Sequence, residues 1–466
     1  MDCLIEVAGM HDGICQILLG RHPLIIVSDI KETERVLLKS KATVLSKRVN
    51  QAFDFVMPEG QISIPANEVW KKHRRLAGPS MSKRYLERML SRINASATNL
   101  VKFWNAKMDI TGSCAFEASL DIHLAAVDNT INLTMGFPLG SIELAHASLP
   151  TEPIQSDGIA HIPRPNTPPL YEAISTLVTS VGEAVTSPFP WLHGRLVKYI
   201  SPSWRKGHRL LCSFLNSKIS EAREQESLVG EQGNGLATDA DCIVDMIVQH
   251  EAREAAEALG EAGIRDELIS FIFSGGQDTT SAVLRWLVKY LTNDAEIQRR
   301  LHNEVCTVFA KDIDEDAPLD FNLLNDSDQV PLLEAVIAET LRCAGVGSQV
   351  LRERTQLMFA MALMSRDKSE WGPDADEWRP TRWLTSKGVF DRSAGPSFPF
   401  GMGQRSCFGQ RLGVLQLKTF ATILSQNFFF KPVPAEVSGL EAFETLTKQP
   451  KHCYVSLERW EQREIS

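Results

Sequence analysis

Within this 466-residue chain, one cysteine stands where a thiolate would be favoured. Cys407 lies in Phe398-Pro399-Phe400-Gly401-Met402-Gly403-Gln404-Arg405-Ser406-Cys407-Phe408-Gly409, a glycine-rich loop that runs into a helix predicted from about Gly409 to Gln426. Glycines let the backbone turn through unusual angles and approach a flat partner closely. A helix N-terminus and Arg405, two residues upstream, both favour thiolate over thiol. Backbone N–H groups in such a turn can donate to the sulfur and tune its electron density. A lone cysteine beside a glycine is ordinarily a buried structural residue, but here Phe400, Gly403, Arg405, Cys407 and Gly409 coincide in one loop. The other cysteines, at 3, 15, 114, 212, 242, 306, 343 and 453, are scattered without a C-x-x-C. With an odd total, that usage reads as a reduced, intracellular environment.

A second group of residues interrupts a helix. Leu268, Phe271, Ile272, Val283, Trp286 and Leu287 follow the helical period through about 264 to 291. Gly275-Gly276 stand in its middle, each costing about 1 kcal/mol relative to alanine. That cost argues for a close backbone approach or a local opening beside Gln277-Asp278-Thr279-Thr280; taken alone, Asp-Thr-Thr in a helix reads as a kinked or solvated turn. Glu339 and Arg342, three apart on one helix face, can pair; alone they read as a surface ion pair worth under ~1 kcal/mol. Trp70-Lys71-Lys72-His73-Arg74 marks a further helix, with His73 read as an exposed helical residue. Lys71, Lys72, Arg74, Arg75, Lys83 and Arg84 form a basic cluster whose ordinary reading is a solvated face.

Together these motifs resemble the cytochrome P-450 family of haem-thiolate monooxygenases. Phe400, Gly403, Arg405, Cys407 and Gly409 match its F-x-x-G-x-R-x-C-x-G signature. The resemblance implies haem b as cofactor, Cys407 as the axial thiolate ligand of its iron, Phe400 packed on the ligand side and Arg405 paired with a propionate. A thiolate ligand pushes electron density onto iron and favours O–O cleavage. Gly275 to Thr280 resembles the family's oxygen-binding helix motif, implying that Asp278 and Thr279 hold water and relay protons toward dioxygen. By the same resemblance, Glu339 and Arg342 are locked to Arg382 of the segment Asp376 to Trp383, the meander, in which Thr381 and Trp383 replace the commoner Glu and Phe. Trp70 and Arg74 would contact a propionate, with His73 as an auxiliary, and Arg352, ten positions after Arg342, would be a further propionate-binding arginine.

The activity so implied is insertion of one oxygen atom of dioxygen into a lipophilic small molecule, such as a terpenoid or other secondary metabolite, or a fatty acid. NADPH electrons would arrive through a separate NADPH-cytochrome P-450 reductase docked on the basic cluster, where complementary charge raises the on-rate. Two alternatives stay open: a haem-thiolate isomerase, dehydratase or peroxygenase, and a truncated, non-catalytic haem-binding protein. The wording of the meander from Arg366 to Asp376 resembles fungal microsomal members.

These residues need a large scaffold, and the composition supplies one. Apolar residues make up 43% and charged residues 23%, and 29 glycines with 23 prolines are an average share. Disorder, collagen and disulfide scaffolds are excluded. A net charge of −9 provides no global field for nucleic acid or an anionic membrane. Length alone, at ~150 residues per domain, allows about three domains or one large fold.

The resemblance implies a single haem domain over 1–466, mainly α with a small β-rich lobe, the haem lying between the 264–291 helix and the Cys407 loop. The expected parts are a β-rich lobe (about 14–60 and 343–365, plus a C-terminal part), a helical lobe (about 69–342 and 409–427), and the meander and cysteine loop (366–408). Residues 149–169 and 224–240 read as loops. Microsomal members sit at the cytosolic face of the endoplasmic reticulum membrane through an N-terminal anchor. This chain opens with acid at Asp2 and Glu6 and holds no run of eighteen apolar residues, so a cytoplasmic chain, peripheral to membranes at most, is expected. A hairpin near 355–361 is expected to be missing, leaving strand edges unpaired and a protein that folds poorly and loses haem.

Overall fold

The computed structural model describes residues 13–19, 22–39, 47–152, 158–229, 240–253, 258–309, 318–345 and 356–460. The chain is mainly helical with small sheets. Ile14–Leu19 (β1) and His22–Val27 (β2) pair antiparallel, with Ile14 opposite Val27. Ile30–Lys39 (α1) follows, its first turn closed by Asp29 Oδ1, which accepts the Glu32 N–H at 2.6 Å. Asn67 caps Glu68–Ala77 (α2) and Ser82 caps Lys83–Thr111 (α3), each through its side-chain oxygen. Ala115–Glu117 (β3), Ser119–Met135 (α4), Ile159–Ala160 (β4) and Pro169–Thr186 (α5) lead to Pro190–Ile200 (α6), Pro202–Val229 (α7) and Ile243–Arg253 (α8).

The predicted central helix spans Gly260–Ile272 (α9) and Thr279–Leu291 (α10), separated by a π-helical turn at Phe273–Gln277. The local opening expected at Gly275-Gly276 is that turn. Ala295–Val308 (α11) and Pro331–Ala344 (α12) precede Gln356–Phe359 (β5), and Gln410–Asn427 (α13) follows the cysteine loop. The chain closes with Phe428–Lys431 (β6), Ala442–Glu444 (β7), Lys448–Pro450 (β8) and Tyr454–Arg459 (β9). The sheets are ordered β1-β2-β5, β4-β3-β9-β6 and β7-β8.

Two expectations need correction or restriction. The polar stretch from 224 is helical to Val229, because its charges form the wet face of α7 while Ala222 is buried and Arg223 pairs with Glu251 at 2.9 Å. The shortened connection, residues 346–355 with Arg352, lies outside the described residues. Beyond it, β5 joins β2 in parallel, Leu24 opposite Gln356 and Val27 opposite Phe359.

Leu86, Leu90, Ile93, Ala97, Leu100 and Trp104 recur along α3 at helical spacing and are all buried, so this long helix forms one wall of the main core. The α9–π–α10 unit and α13 form facing walls of it, with Leu268, Ile269, Leu284, Leu287, Leu415 and Phe420 inside. Among the described residues no helix is long and apolar enough to cross a membrane.

At the edge of this core α1 presses on the cysteine loop so closely that a Cβ on Gly403 would lie 2.3 Å from the Leu37 carbonyl oxygen; Gly403 also has φ +72°. Gly401 has φ +66° with nothing within 4 Å of such a Cβ. Gly401→Ala should therefore cost roughly 1–2 kcal/mol, the left-handed penalty alone, and Gly403→Ala clearly more, measured by urea unfolding. Equal costs would show that the contact with α1 yields freely.

Candidate functional site

The cysteine loop is built by hydrogen bonds as well as glycines. The Cys407 N–H donates to Phe400 O at 2.8 Å, and the Ser406 N–H to Gly403 O at 3.0 Å. Gly409 caps α13, and its N–H donates to the Cys407 sulfur. Cys407 is exposed, with enough protein around it for desolvation to act on the thiol. That surrounding protein raises the Cys407 pKa by desolvation, against the Gly409 N–H and the Arg74 charge, which lower it. Phe408 meets Phe271 of α9 edge-on at 5.9 Å, which joins the loop to the interrupted helix.

Two arginines converge beside this cysteine. Arg74 lies 5.0 Å and Arg405 4.8 Å from the centre of the buried Trp70 ring, and Arg74 lies 4.8 Å from that of Phe408. Arg74 donates to Ser406 O at 3.2 Å; Arg405 donates to Gln61 O at 2.9 Å and to Ile64 O. Neither guanidinium meets a carboxylate among the described residues, and Arg405 Nε is buried with no partner. Burial, then the like charge of Arg74, pushes Arg405 down to about 10. Two partly desolvated cations without counter-charge are costly unless an anion joins them.

His73 is not exposed. It is buried, with Nδ1 2.7 Å from Glu267 Oε2. Glu267 also accepts from the Gln61 backbone N–H at 3.2 Å and side-chain amide at 2.5 Å, while Asp266 accepts the Glu59 N–H at 3.0 Å. This pair of acids ties residues 59–64 to α9, and Gly60 permits it: a Cβ there would lie 2.8 Å from Asp266 O. Those same residues present the carbonyls that hold Arg405. The sequence reading missed Gln61 and Glu267, although two adjacent acids on a largely apolar helix were the available signal.

At the π turn, three consecutive residues face three ways. Asp278 is buried, and its carboxyl accepts from Thr447 Oγ1 and Gln449 Nε2, both at 2.8 Å. Thr279 is exposed. Thr280 is buried and donates to Gln416 Oε1 of α13 at 3.1 Å. Gln416 thus joins the helix that follows Cys407 to the opened one, a link with no sequence signal.

Glu339 and Arg342 are not a surface pair. Both are fully buried, at 2.7 Å, and Arg382 joins Glu339 at 2.8 Å. Arg342 donates to Ser365 O and Ala375 O at 2.8 and 2.6 Å, and Arg382 to Asp374 O at 3.0 Å. Glu339 further accepts the Arg379 N–H at 2.8 Å and the Trp383 indole N–H at 2.9 Å. Burial opposes its charge, but Arg342, the Arg379 N–H and the Trp383 N–H outweigh that and bring its pKa below the ordinary 4.5. Trp371, 4.9 Å from Arg342, donates to Pro396 O at 3.1 Å and so carries the network to the cysteine loop.

With this geometry in place, comparison with known proteins is specific. The family model described as Cytochrome P-450 matches residues 2–456. The chain belongs to the cytochrome P-450 family. Its relatives include the cytochrome P-450 monooxygenase TRI13 of Fusarium sporotrichioides, 27% identical over 98% of this chain and 89% of the relative. A cytochrome P-450 monooxygenase of Pestalotiopsis microspora is 24% identical over 93% and 84%. The 11-oxo-beta-amyrin 30-oxidase of Medicago truncatula is 24% identical over 82% and 69%.

This P-450 chain is accordingly a haem-dependent oxidoreductase, and its residues fit the cofactor. Cys407 is exposed, the loop before it is shaped by left-handed glycines, and two arginines meet, among the described residues, none of the carboxylates that haem propionates would provide.

The Glu339 network yields a test. A carboxylate held below its ordinary pKa contributes stability in full above that value and loses it as pH falls through the lowered one. Trp383→Phe removes one donor to the charged form, so it should cost roughly 1.5–3 kcal/mol at pH 7 in urea unfolding. Because it brings the folded-state pKa closer to the ordinary value, it should also shrink the stability lost on acidification and raise the pH at which that loss is complete. Stability unchanged at pH 7 together with an unchanged acid profile would show that the indole N–H contributes nothing to the triad.

Proposed function

We propose that this P-450 would hold haem b through the Cys407 thiolate and inserts one oxygen atom of dioxygen into a lipophilic small molecule. The observation that carries this reading is an exposed cysteine beside two arginines that meet no carboxylate among the described residues. Bound haem supplies the oxygen activation that amino-acid side chains lack. The chain's own residues do the rest. Cys407 loses its proton on ligation, and the Gly409 N–H tempers the sulfur's charge. Arg405 and Arg74, stacked on Trp70, bind the propionates. Thr279 holds water at the opened helix, and Asp278 supplies protons.

The substrate class we infer is a terpenoid or other lipophilic secondary metabolite, or a fatty acid; a relative named as an 11-oxo-beta-amyrin oxidase supports the first. NADPH electrons come from a separate reductase docked on the basic face beside the loop. Within the predicted basic cluster Arg74 is turned inward and Lys72 donates to Ala258 O at 2.6 Å, whereas Lys71, Arg75, Lys83 and Arg84 are exposed. Exposed Arg411, in the first turn of α13, adds to that face.

Cys407→Ser should abolish the strongly red-shifted Soret band of the reduced carbon monoxide complex, and survival of that band would overturn the ligand assignment. Charge reversal at Lys71 and Arg75 should slow reduction by reductase. Raising salt should slow the unaltered protein too, since the Debye length falls to ~8 Å near physiological ionic strength. Rates indifferent to both changes would mark the cluster as a solvated face.

A further inference from the structure

One buried carboxylate holds the supports of both arginines beside Cys407. Glu267 of α9 is 0% exposed. On one side its Oε2 meets Nδ1 of the buried His73 at 2.7 Å, so it grips α2, the helix that carries Trp70 and Arg74. On the other it accepts the Gln61 N–H at 3.2 Å and the Gln61 side-chain amide at 2.5 Å. It thereby grips the turn whose Gln61 and Ile64 carbonyls accept from Arg405. Two supports share one anchor.

That sharing matters because the two cations oppose each other. Arg74 and Arg405 lie 5.0 and 4.8 Å from the centre of the same indole ring, and the charge of Arg74 helps to lower the Arg405 pKa. Like charges this close repel, so fixed supports are needed to keep both guanidinium groups on the ring. Glu267 fixes both, and its charge also favours the cationic form of Arg74. The turn has little slack against α9: a Cβ on Gly60 would meet Ser270 Oγ and lie 2.8 Å from Asp266 O, while the Glu59 N–H donates to Asp266 at 3.0 Å.

We propose that Glu267 is a positioning residue for haem: by holding α2 and the 59–64 turn together, it fixes where Arg74 and Arg405 present their N–H groups. It so sets how long haem is retained and how readily its iron is reduced. This rests on the reading of both arginines as propionate partners. A guanidinium held against a propionate cancels its charge, whereas one that wanders leaves negative charge near the iron, which favours the ferric form. The charge of Glu267 itself works in the opposite sense, since a carboxylate near the propionates repels them. Positioning and bare electrostatics are therefore separable by sign.

The test uses the haem-loaded protein and needs no turnover. Two quantities are read: the rate at which haem passes to excess apomyoglobin, and the midpoint potential of the iron in a mediated spectroelectrochemical titration. Arg405→Leu should speed haem transfer about tenfold, the worth of one charge-assisted hydrogen bond, and lower the potential. Gln61→Leu and Gly60→Ala change no charge, yet each should speed transfer at least about threefold and lower the potential, because the turn slackens. In the Arg405→Leu background neither should add anything further. Glu267→Gln should also speed transfer at least about threefold, although loss of its charge alone would slow it. The red-shifted carbon monoxide band verifies haem loading in every variant, and Gln61 and Gly60 are independent positions should one variant fail to load. If Arg405→Leu and Arg74→Leu leave transfer and potential unchanged, the propionate reading fails. If Arg405→Leu changes both while Glu267→Gln leaves transfer unchanged or slows it, or while the turn variants act in full without Arg405, the positioning role is wrong.

Discussion

Glu339 carries its charge in a site from which water is excluded, and two guanidinium groups, an indole N–H and a backbone N–H saturate it. Removing one partner of such a pair typically costs about 3–5 kcal/mol, because the remaining charge stays buried and uncompensated. That penalty makes the arrangement directional. Arg342 and Arg382 can satisfy Glu339 only where α12 meets the meander, and their remaining N–H groups then fix the carbonyls of residues 365, 374 and 375. Through Trp371 and Pro396 the same constraint reaches the chain just before Phe400. The cysteine loop, itself short of regular structure, borrows its rigidity from this point.

The molecule uses arginine in two opposite conditions. Arg342 and Arg382 have their charge matched and their donors engaged within the protein. Arg74 and Arg405 are stacked on Trp70 and partly engaged by backbone carbonyls, with no carboxylate and one buried donor unpaired among the described residues. Burying a cation without a counter-charge is unfavourable, so the first pair is a structural joint, and the second is where the proposed propionate contacts would relieve that cost. Residues 59–64 connect the two themes, because the carbonyls that orient Arg405 are held in place by Glu267 and Asp266 of α9.

The opened helix shows where a local backbone cost is taken up. A π turn releases regular helical bonding at Phe273–Gln277, and Gln416 of α13 bridges across to Thr280. Asp278 is left to the β7–β8 hairpin and Thr279 to the open side. The glycine pair in the sequence announces the interruption, since two mid-helix glycines are not retained for helix stability. Which residue would turn to which neighbour depends on how α10, α13 and the hairpin pack.

Sequence alone determined the family, the mainly helical class, the interrupted helix and the cysteine loop, because these rest on residue types whose backbone or charge requirements are local: glycine at positive φ, arginine beside cysteine, apolar residues at helical spacing. It misjudged His73 and the polar end of α7, since polarity is a poor guide to exposure when a buried partner such as Glu267 or a neighbouring helix supplies the compensation. Tertiary structure decided the rest. The burial of Glu339, the use of the Trp383 indole as a donor and the capture of Asp278 by Thr447 and Gln449 join segments tens to hundreds of residues apart, and among the described residues no carboxylate reaches Arg74 or Arg405. The spacing of Glu339 and Arg342 announced that they can pair, but whether a charge is buried, and which distant groups complete or fail to complete its shell, depends on three-dimensional neighbours.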